Sequence, residues 1–261
     1  MKQLSKDKPF SLVLSGGGAL GIAHLGVLHE LELQGLVPEE IIGTSMGGII
    51  GACLAIGMKE VKIHAQIKAF ASLTKWIKFS FSGNAIVDHT RIERIFDEIF
   101  GKRKMADTCI PLKLITTNLC TGGKRVFDHR DEVLIRDAVL ATMAIPGIFE
   151  EKMIEGKVYG DGFLCENLGI SETDYEDILA VDVLGKHSFE KQMPDHFFKT
   201  SNVLEMFERS MRLLIYNQSK ISLAQSKKGI LLLEPDTAAF KTFHFHKIEE
   251  IRAQGLDLLS F

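Results

Sequence analysis

The residues whose types and spacing could support a reaction begin at Gly43-Thr44-Ser45-Met46-Gly47. A short apolar run, Ile41-Ile42, precedes this segment, and a run compatible with a helix, residues 48–57, follows it. G-x-S-x-G between a strand and a helix is the nucleophile-elbow pattern, in which a tight turn projects the serine hydroxyl above the sheet. Glycines on both sides let the neighbouring backbone approach closely. A serine that only caps a helix in a glycine-rich turn is the alternative interpretation.

A second glycine cluster, Gly16-Gly17-Gly18-Ala19-Leu20-Gly21, lies upstream. G-x-G-x-x-G after a strand is also the dinucleotide fingerprint, but that site needs an acidic residue at the end of the second strand. Gly43-Thr44-Ser45 stands there instead, which argues against a nucleotide site. Consecutive glycines can expose backbone N–H groups to a developing oxyanion. A tight strand-to-helix turn remains the simpler interpretation, although it does not require three adjacent glycines.

The elements around these loops predict where they meet. Residues 10–15 and 40–43 have the pattern of buried strands, and residues 23–33 that of a helix stopped by Gly35. This βαβα order predicts a parallel sheet. Because the carboxyl ends of adjacent parallel strands lie about 4.8 Å apart, both glycine segments should lie at the same edge. That edge is where α/β proteins place their ligands.

The base that would activate Ser45 is not fixed by the residues alone. A free serine hydroxyl is a weak nucleophile and needs an adjacent base. None of the nine histidines has a distinctive context, and an α/β-hydrolase order would leave His187, His196 or His244. Several strands precede the elbow in that fold, whereas only one does here. Asp161, between Gly160 and Gly162, is a carboxylate alternative, although Asp-Gly is also common in hairpin turns.

Taken together and in this order, the motifs resemble those of the patatin-like phospholipase family. The matching segments are the glycine loop at 16–21, the elbow at 43–48, Ala144-Ile145-Pro146-Gly147-Ile148-Phe149, and Tyr159-Gly160-Asp161-Gly162 with the trailing Glu166-Asn167-Leu168. The resemblance runs from about residue 10 to residue 183. It implies an α/β fold with three α/β/α layers around a mostly parallel central sheet.

The resemblance also implies a Ser–Asp dyad without histidine, with Ser45 as nucleophile and Asp161 as general base. The reaction implied is hydrolysis of phospholipid or lysophospholipid acyl esters through an acyl-Ser45 intermediate, with no metal or other cofactor. The oxyanion site would be formed by Gly16, Gly17, Gly18 and Met46, and the remaining motif glycines are Gly21, Gly43, Gly47 and Gly162.

Three positions depart from the family pattern. Leu20 stands where many members carry Arg or Lys, Phe163 where Gly or Ala usually follows, and Gly169 where Pro is common. Loss of the basic residue could weaken oxyanion or phosphate binding, and Phe163 could narrow the pocket. Leu20 is the main support for the alternative function, a non-catalytic lipid or acyl-chain binding regulator that keeps the fold.

Composition and charge limit the classes of protein to which the chain could belong. The 261 residues suit one α/β domain over 1–261, and a net charge of −3 gives no case for nucleic-acid binding. The four cysteines form no C-x-x-C pair, which favours a reduced, cytoplasmic protein. The polar first nine residues lack the pattern of a signal peptide, and no apolar run approaches the roughly 18 residues of a membrane span.

Two further segments bear on partners. Residues 74–87 combine Trp76, Phe79 and Phe81 with lysines, which suits peripheral contact with a membrane surface or, alternatively, a lid or core segment. A long helix is predicted over 203–226, where it could serve a homo-oligomer as well as the core. Other helices are predicted over 59–72, 88–100, 132–144 and 246–259, and strands over 112–117, 123–127, 157–159, 163–164, 178–184 and 229–233.

Overall fold

A computed structural model describes residues 8–74, 89–189 and 200–259. Its centre is an eight-stranded sheet with the order β5-β6-β3-β2-β1-β7-β8, and β4 pairs with β3. The strands are β1 (Ser11–Leu14), β2 (Glu40–Thr44), β3 (Leu112–Asn118), β4 (Lys124–Phe127), β5 (Lys152–Ile154), β6 (Lys157–Asp161), β7 (Asp177–Val181) and β8 (Gly229–Leu233).

The sheet is mostly parallel, as the sequence predicts. Strands β3, β2, β1, β7 and β8 run parallel to one another, while β6 and β4 are antiparallel to β3 and β5 is antiparallel to β6. In the central register Leu14 lies opposite both Gly43 and Val181. The glycine loop and the serine elbow therefore leave the sheet at the same edge.

Helices cover both faces of the sheet. They are α1 (Ala23–Gln34), α2 (Ser45–Ala55), α3 (Glu60–Thr74), α4 (His89–Phe100), α5 (Ile135–Thr142), α6 (Thr200–Gln225) and α7 (Ile248–Ala253). Short 3₁₀ turns join several of these elements, among them Gly18–Ile22 after β1 and Gly162–Leu164 after β6. Together the helices and the sheet form the three-layer arrangement that the motifs imply.

The two faces of the sheet carry cores of different size. Because successive side chains of a strand point to opposite faces, Leu12 and Leu14 of β1 pack in the larger core, with residues of α1 to α5 and α7. Val13 between them packs in a smaller core with Ile42 and Leu168, against which Leu223 of α6 is placed. The second layer is thus built mainly from α6 and the segment after β6.

The structure differs from the sequence-based expectations in the region of Asp161. The sequence suggested a strand, an Asp-Gly turn and a short strand over 163–164, but Asp161 is the last residue of β6 and a 3₁₀ turn follows it. The hairpin turn lies earlier, at Glu155-Gly156, where both residues have positive φ and join β5 to β6. Helix α5 begins at Ile135 rather than at 132 because Leu134 is still extended.

Two sequence-based predictions concern the membrane. The aromatic and lysine-rich segment with Trp76 lies outside the described residues, apart from Thr74 at the end of α3. Among the helices of the described ranges, none has both the length and the hydropathy that crossing a bilayer requires.

The position of Gly47 generates a prediction about stability. A Cβ at Gly47 would overlap the backbone carbonyl oxygens of Leu14 and Ser15, whereas the nearest contact of one at Gly51 in the same helix would be a side-chain atom of Ile41, at 2.9 Å. We expect Gly47→Ala to lower the free energy of unfolding by about 1–3 kcal/mol because backbone must shift. Gly51→Ala is the matched control, and an equal or smaller loss for Gly47→Ala in urea titrations would contradict this account.

Candidate active site

Ser45 occupies a strained turn between β2 and α2. Its φ of 53° lies in the left-handed region, which is rare for residues other than glycine. The Ser45 N–H donates to Thr142 Oγ1 at 3.0 Å, and the Thr142 hydroxyl donates in turn to the Ile115 carbonyl at 2.5 Å. Thr142 at the end of α5 therefore holds the backbone of the elbow against β3.

The Ser45 side chain is hydrogen bonded to Asp161. Ser45 Oγ donates to Asp161 Oδ2 at 2.6 Å, and the Phe163 N–H donates to Asp161 Oδ1 at 3.0 Å. Asp161 has no solvent exposure. Burial raises the pKa of Asp161 to about 7, against the lowering effect of the bonds from Ser45 and Phe163. A carboxylate of this pKa that accepts a hydroxyl proton is suited to general-base chemistry near neutral pH.

The pairing of the antiparallel strand β6 with β3 places Asp161 beside Ser45. Thr44 of β2 lies opposite Ile115 of β3, and the next residue of β3, Thr116, lies opposite Asp161. The Asp161 N–H donates to the Ala144 carbonyl at 2.9 Å, which joins β6 to the segment after α5. The first residue of the Ala144–Phe149 motif and the Asp-Gly motif are therefore adjacent in space.

The described histidines supply no partner for Ser45. His24 is fully buried in α1 and its Nε2 donates to the Ser15 carbonyl at 2.8 Å. Burial lowers the pKa of His24 to about 4, despite this hydrogen bond, so the imidazole is neutral at physiological pH. The Ser45 hydroxyl is hydrogen bonded to Asp161 and to none of the described histidine side chains. His196 and the side chain of His89 lie outside the described part of the chain.

The glycine loop is held by its carbonyl groups. Asn167 Nδ2 donates to the Gly16 carbonyl at 3.4 Å, and the Leu20 N–H donates to the Gly17 carbonyl at 3.2 Å. In a trans peptide the N–H points away from the carbonyl of the same unit, so the N–H groups of Gly17 and Gly18 face away from these two contacts. Neither N–H donates a hydrogen bond to the described part of the chain.

The far side of this loop is fixed by α6 through the Thr242 segment. The Ala19 N–H donates to the Thr242 carbonyl at 2.8 Å, and the Thr242 N–H and hydroxyl donate to Glu208 Oε1 at 2.8 and 2.7 Å. Arg212 Nη2 donates to the same oxygen at 2.8 Å. Burial alone would raise the pKa of Glu208, but the bonds from Thr242 and the charge of Arg212 lower it, so this carboxylate stays ionised.

A cavity of about 310 Å³ opens beside Ser45. Its wall is largely apolar, and among the described residues that line it Glu208 and Arg212 are charged. The lining residues outside the glycine loop and Ser45 are Ile145, Pro146, Ile148, Phe163, Leu164, Asn167, Leu184, Phe207, Glu208, Met211, Arg212, Ile215, Thr242 and Phe243. A serine, a carboxylate and free N–H groups beside an apolar cavity can support attack on the ester of a long acyl chain.

The positions that depart from the family pattern fall in different places. Leu20 is fully buried in the larger core and does not line the cavity, so a charged side chain here would need a different packing. Phe163 lines the cavity directly after the Asp-Gly pair. Within residues 8–74, 89–189 and 200–259, no group of three His, Cys, Asp or Glu side chains is arranged to hold a metal ion.

Sequence reasoning missed several residues that shape the site. Thr142 holds the elbow, and Gln218, Glu208 and Arg212 of α6 hold the surrounding loops. Their sequence contexts carry no motif. Asn167 was identified only as part of the segment that trails Asp161. Its contact with the Gly16 carbonyl becomes visible only once the chain is folded.

The family of the chain is settled by its match to the model described as Patatin-like phospholipase, which covers residues 12–174. The chain belongs to the patatin-like phospholipase family. Both Ser45 and Asp161 lie within the matched residues. The fold is also similar to that of VipD from Legionella pneumophila, with a TM-score of 0.58 and 14% sequence identity over 98% of this chain and 67% of the other.

Relatives of this patatin-like chain include fungal proteins described as lysophospholipase NTE1. The protein of Scheffersomyces stipitis is 26% identical over 282 residues, covering 98% of this chain and 18% of its own length. That of Saccharomyces cerevisiae is also 26% identical and covers 98% of this chain and 16% of its own length. The chain thus spans less than a fifth of these relatives.

The raised pKa of Asp161 predicts the pH dependence of activity. A general base must be ionised, so kcat/KM should rise with pH through a midpoint of about 7. Below pH 6 it should fall by about tenfold for each pH unit. Asp182→Asn is the control. Burial also raises the pKa of Asp182, to about 6, but this carboxyl group is not hydrogen bonded to Ser45. A profile that is flat from pH 5 to 8, or that moves with Asp182→Asn, would contradict the assignment.

The same pKa predicts an effect on stability with a defined sign. Because the folded-state pKa of Asp161 lies above the ordinary 3.8, the folded chain binds the extra proton between these values, and the free energy of unfolding falls as pH rises through that window. An asparagine carries no buried charge, its Oδ1 can accept from the Phe163 N–H, and its Nδ2 can donate to Ser45 Oγ, which reverses the direction of that bond. Asp161→Asn should therefore unfold at a higher temperature than wild type at pH 8, by about 2–4 °C per kcal/mol recovered, and at nearly the same temperature at pH 4.

Proposed function

We propose that the protein is a serine acyl-ester hydrolase that cleaves phospholipid or lysophospholipid acyl esters with a Ser45–Asp161 dyad. The observation that carries the proposal is the 2.6 Å hydrogen bond from Ser45 Oγ to the buried Asp161 carboxylate, at the wall of an apolar cavity. Membership in the patatin-like phospholipase family supports the same activity.

In the first half of the reaction, Ser45 Oγ attacks the carbonyl carbon of the ester and its proton passes to Asp161 Oδ2. The resulting oxyanion is stabilised by the loop Gly16–Gly18 and by the N–H of Met46. Collapse of the tetrahedral intermediate breaks the bond to the alcohol, which takes the proton from Asp161 and leaves as lysolipid or glycerophospho-alcohol. The fatty acyl group remains as an ester on Ser45.

In the second half, Asp161 Oδ2 takes a proton from a water molecule while that water attacks the acyl carbonyl. The same N–H groups stabilise the second oxyanion. Collapse releases the fatty acid, and Asp161 returns its proton to Ser45 Oγ. No step uses histidine, which agrees with the hydrogen bond that Ser45 makes.

Lysophospholipid is the favoured substrate class within this proposal. The fungal relatives that match nearly the whole chain are described as lysophospholipases. The cavity has an apolar wall suited to an acyl chain, and Arg212 is a basic residue on that wall. A non-catalytic lipid-binding protein remains the second candidate, since Leu20 occupies a position that is often basic in the family.

Substrate reaches the cavity, in this proposal, from a lipid surface at the cytoplasmic side of a membrane. Leu164 and Phe207 both line the cavity and are 42% and 66% exposed, so its rim is apolar. An apolar rim of this kind suits contact with the acyl region of a lipid interface. The four cysteines are unpaired, which supports a reducing compartment.

Fluorophosphonate labelling combined with lysophosphatidylcholine hydrolysis tests the function. We expect a single label on Ser45 by mass spectrometry, release of fatty acid by the wild type, and loss of both in Ser45→Ala. Asp161→Asn should lower turnover by about 10²–10⁴-fold because proton transfer is lost. A folded wild type with neither label nor turnover would favour the lipid-binding protein. Normal turnover in Asp161→Asn would assign the base to another residue.

The apolar rim predicts that one substitution has different effects on the turnover of vesicle-bound and soluble substrates. Phe207→Ser should lower turnover of lysophospholipid presented in vesicles, because the apolar contact with the lipid surface is reduced, while hydrolysis of a soluble short-chain ester stays near wild type. Leu33→Ser is the matched control, since Leu33 is 69% exposed on α1 and does not line the cavity. Equal losses with both substrates would place Phe207 in the substrate pocket rather than at a lipid contact.

A further inference from the structure

The side chain of Asn167 lies against the backbone of the glycine loop. Asn167 has no solvent exposure, and its Nδ2 donates to the Gly16 carbonyl at 3.4 Å. A Cβ placed on Gly16 would lie 2.6 Å from Asn167 Oδ1 and 3.0 Å from Ser45 Cβ. The Asn167 amide and the candidate nucleophile therefore both approach Gly16 so closely that only a glycine fits there.

The orientation of the Asn167 amide costs free energy, because it leaves the amide oxygen without a hydrogen bond. Its Oδ1 is buried and accepts no hydrogen bond from the described part of the chain. A buried acceptor without a partner costs about 1–3 kcal/mol. Turning the amide by 180° would bring its oxygen toward the Gly16 oxygen, which is repulsive. The amide is thus oriented for the bond that its Nδ2 makes to the loop.

That bond controls one peptide unit of the proposed oxyanion site. The Gly16 carbonyl and the Gly17 N–H belong to the same planar unit and point in opposite directions. A glycine pair has little intrinsic preference between the two orientations of such a unit. If the unit rotated, the Gly17 N–H would turn away and a carbonyl oxygen would take its place, where it would repel a developing oxyanion.

The position of Asn167 is itself fixed from α6. The Asn167 N–H donates to Gln218 Oε1 at 2.7 Å, and Gln218 Nε2 donates to the Cys165 carbonyl at 2.8 Å. These bonds involve the backbone of the segment, so they do not depend on the Asn167 side chain. Replacing that side chain should leave the segment in place and remove only its contact with Gly16.

We propose that Asn167 is a positioning residue that holds the Gly16–Gly17 peptide in the orientation that presents the Gly17 N–H to the oxyanion. The proposal rests on the proposed hydrolase function, because it assigns Asn167 a role at the same site. Asn167 acts through the loop and not on the reacting atoms, so its loss should affect the transition state more than the bound substrate.

The test compares Asn167→Leu and Asn167→Ala with wild type, and with Asn118→Ala as control. Asn118 Oδ1 accepts from the N–H groups of Cys120 and Thr121 in the turn after β3, and Asn118 does not line the cavity. We expect kcat for lysophosphatidylcholine to fall about 10–100-fold in the Asn167 variants, less than the 10²–10³-fold for removal of a donor itself, with KM nearly unchanged. Asn118→Ala should keep wild-type kcat.

A second readout does not require turnover. A long-chain alkyl trifluoromethyl ketone forms an anionic adduct with an activated serine, whereas an ether analogue of lysophosphatidylcholine binds without one. The Asn167 variants should bind the ketone about 10–100-fold more weakly, in parallel with kcat, and bind the ether analogue as wild type does. Thermal unfolding identifies the variants that fold. If Asn167→Leu does not fold, Asn167→Ala provides the comparison, because alanine adds no bulk.

The outcomes separate the two proposals. Unchanged kcat and ketone affinity in a folded Asn167 variant would overturn the positioning role, as would an equal loss of affinity for the ketone and the ether analogue. Failure of the wild type to hydrolyse lysophospholipid would contradict the proposed function, yet the ketone comparison would still test Asn167.

Discussion

The organisation of the molecule depends on keeping a fully buried carboxylate one hydrogen bond from a serine. Burial raises the pKa of Asp161 to about 7, and its carboxylate oxygens accept hydrogen bonds from the Ser45 hydroxyl and the Phe163 N–H. Such a group destabilises the folded chain when it is ionised. The sheet must therefore hold Asp161 rigidly, which it does by pairing β6 with β3 and by bonding the Asp161 N–H to the Ala144 carbonyl.

The backbone conformation of the elbow is a second source of instability. Ser45 has a φ of 53°, and residues held in this region store on the order of 1–3 kcal/mol of strain. The strain is opposed by the bond from the Ser45 N–H to Thr142 and by the close approach of α2 to the end of β1, which only a glycine at 47 permits. The proposed nucleophile and base are thus both held in unfavourable states by the central strands, whose cores on both faces supply the compensating burial.

Much of this could be predicted from the sequence because the relevant signals are local. The strand, glycine loop, helix, strand and elbow follow one another between residues 10 and 47, and parallel pairing brings the two loops to one edge. The position of Asp161 followed only from the resemblance, since Asp-Gly by itself reads as a hairpin turn, and the actual turn is Glu155-Gly156. Thr142 and Gln218 could not be identified, because a Thr in a helix and a Gln in a long polar helix carry no signal of the loops they contact.

Helix α6 shows why such residues escape sequence analysis. Its inward side carries polar groups that bond to the site loops, namely Glu208, Arg212, Gln218 and Ser222. Its outward side exposes Phe207, Leu214 and Ile221. Apolar residues also face inward, since Ile215 and Leu223 pack against the two cores, so α6 lacks the usual separation of an apolar inner face from a polar outer face. The polar groups on its inward side have a physical reason. The loops that carry Gly18, Asn167 and Thr242 have no regular backbone pairing of their own, and polar side chains from a rigid helix satisfy their N–H and carbonyl groups. The second layer of the fold therefore stabilises the site through hydrogen bonds more than through burial, whereas the first layer supplies most of the apolar core.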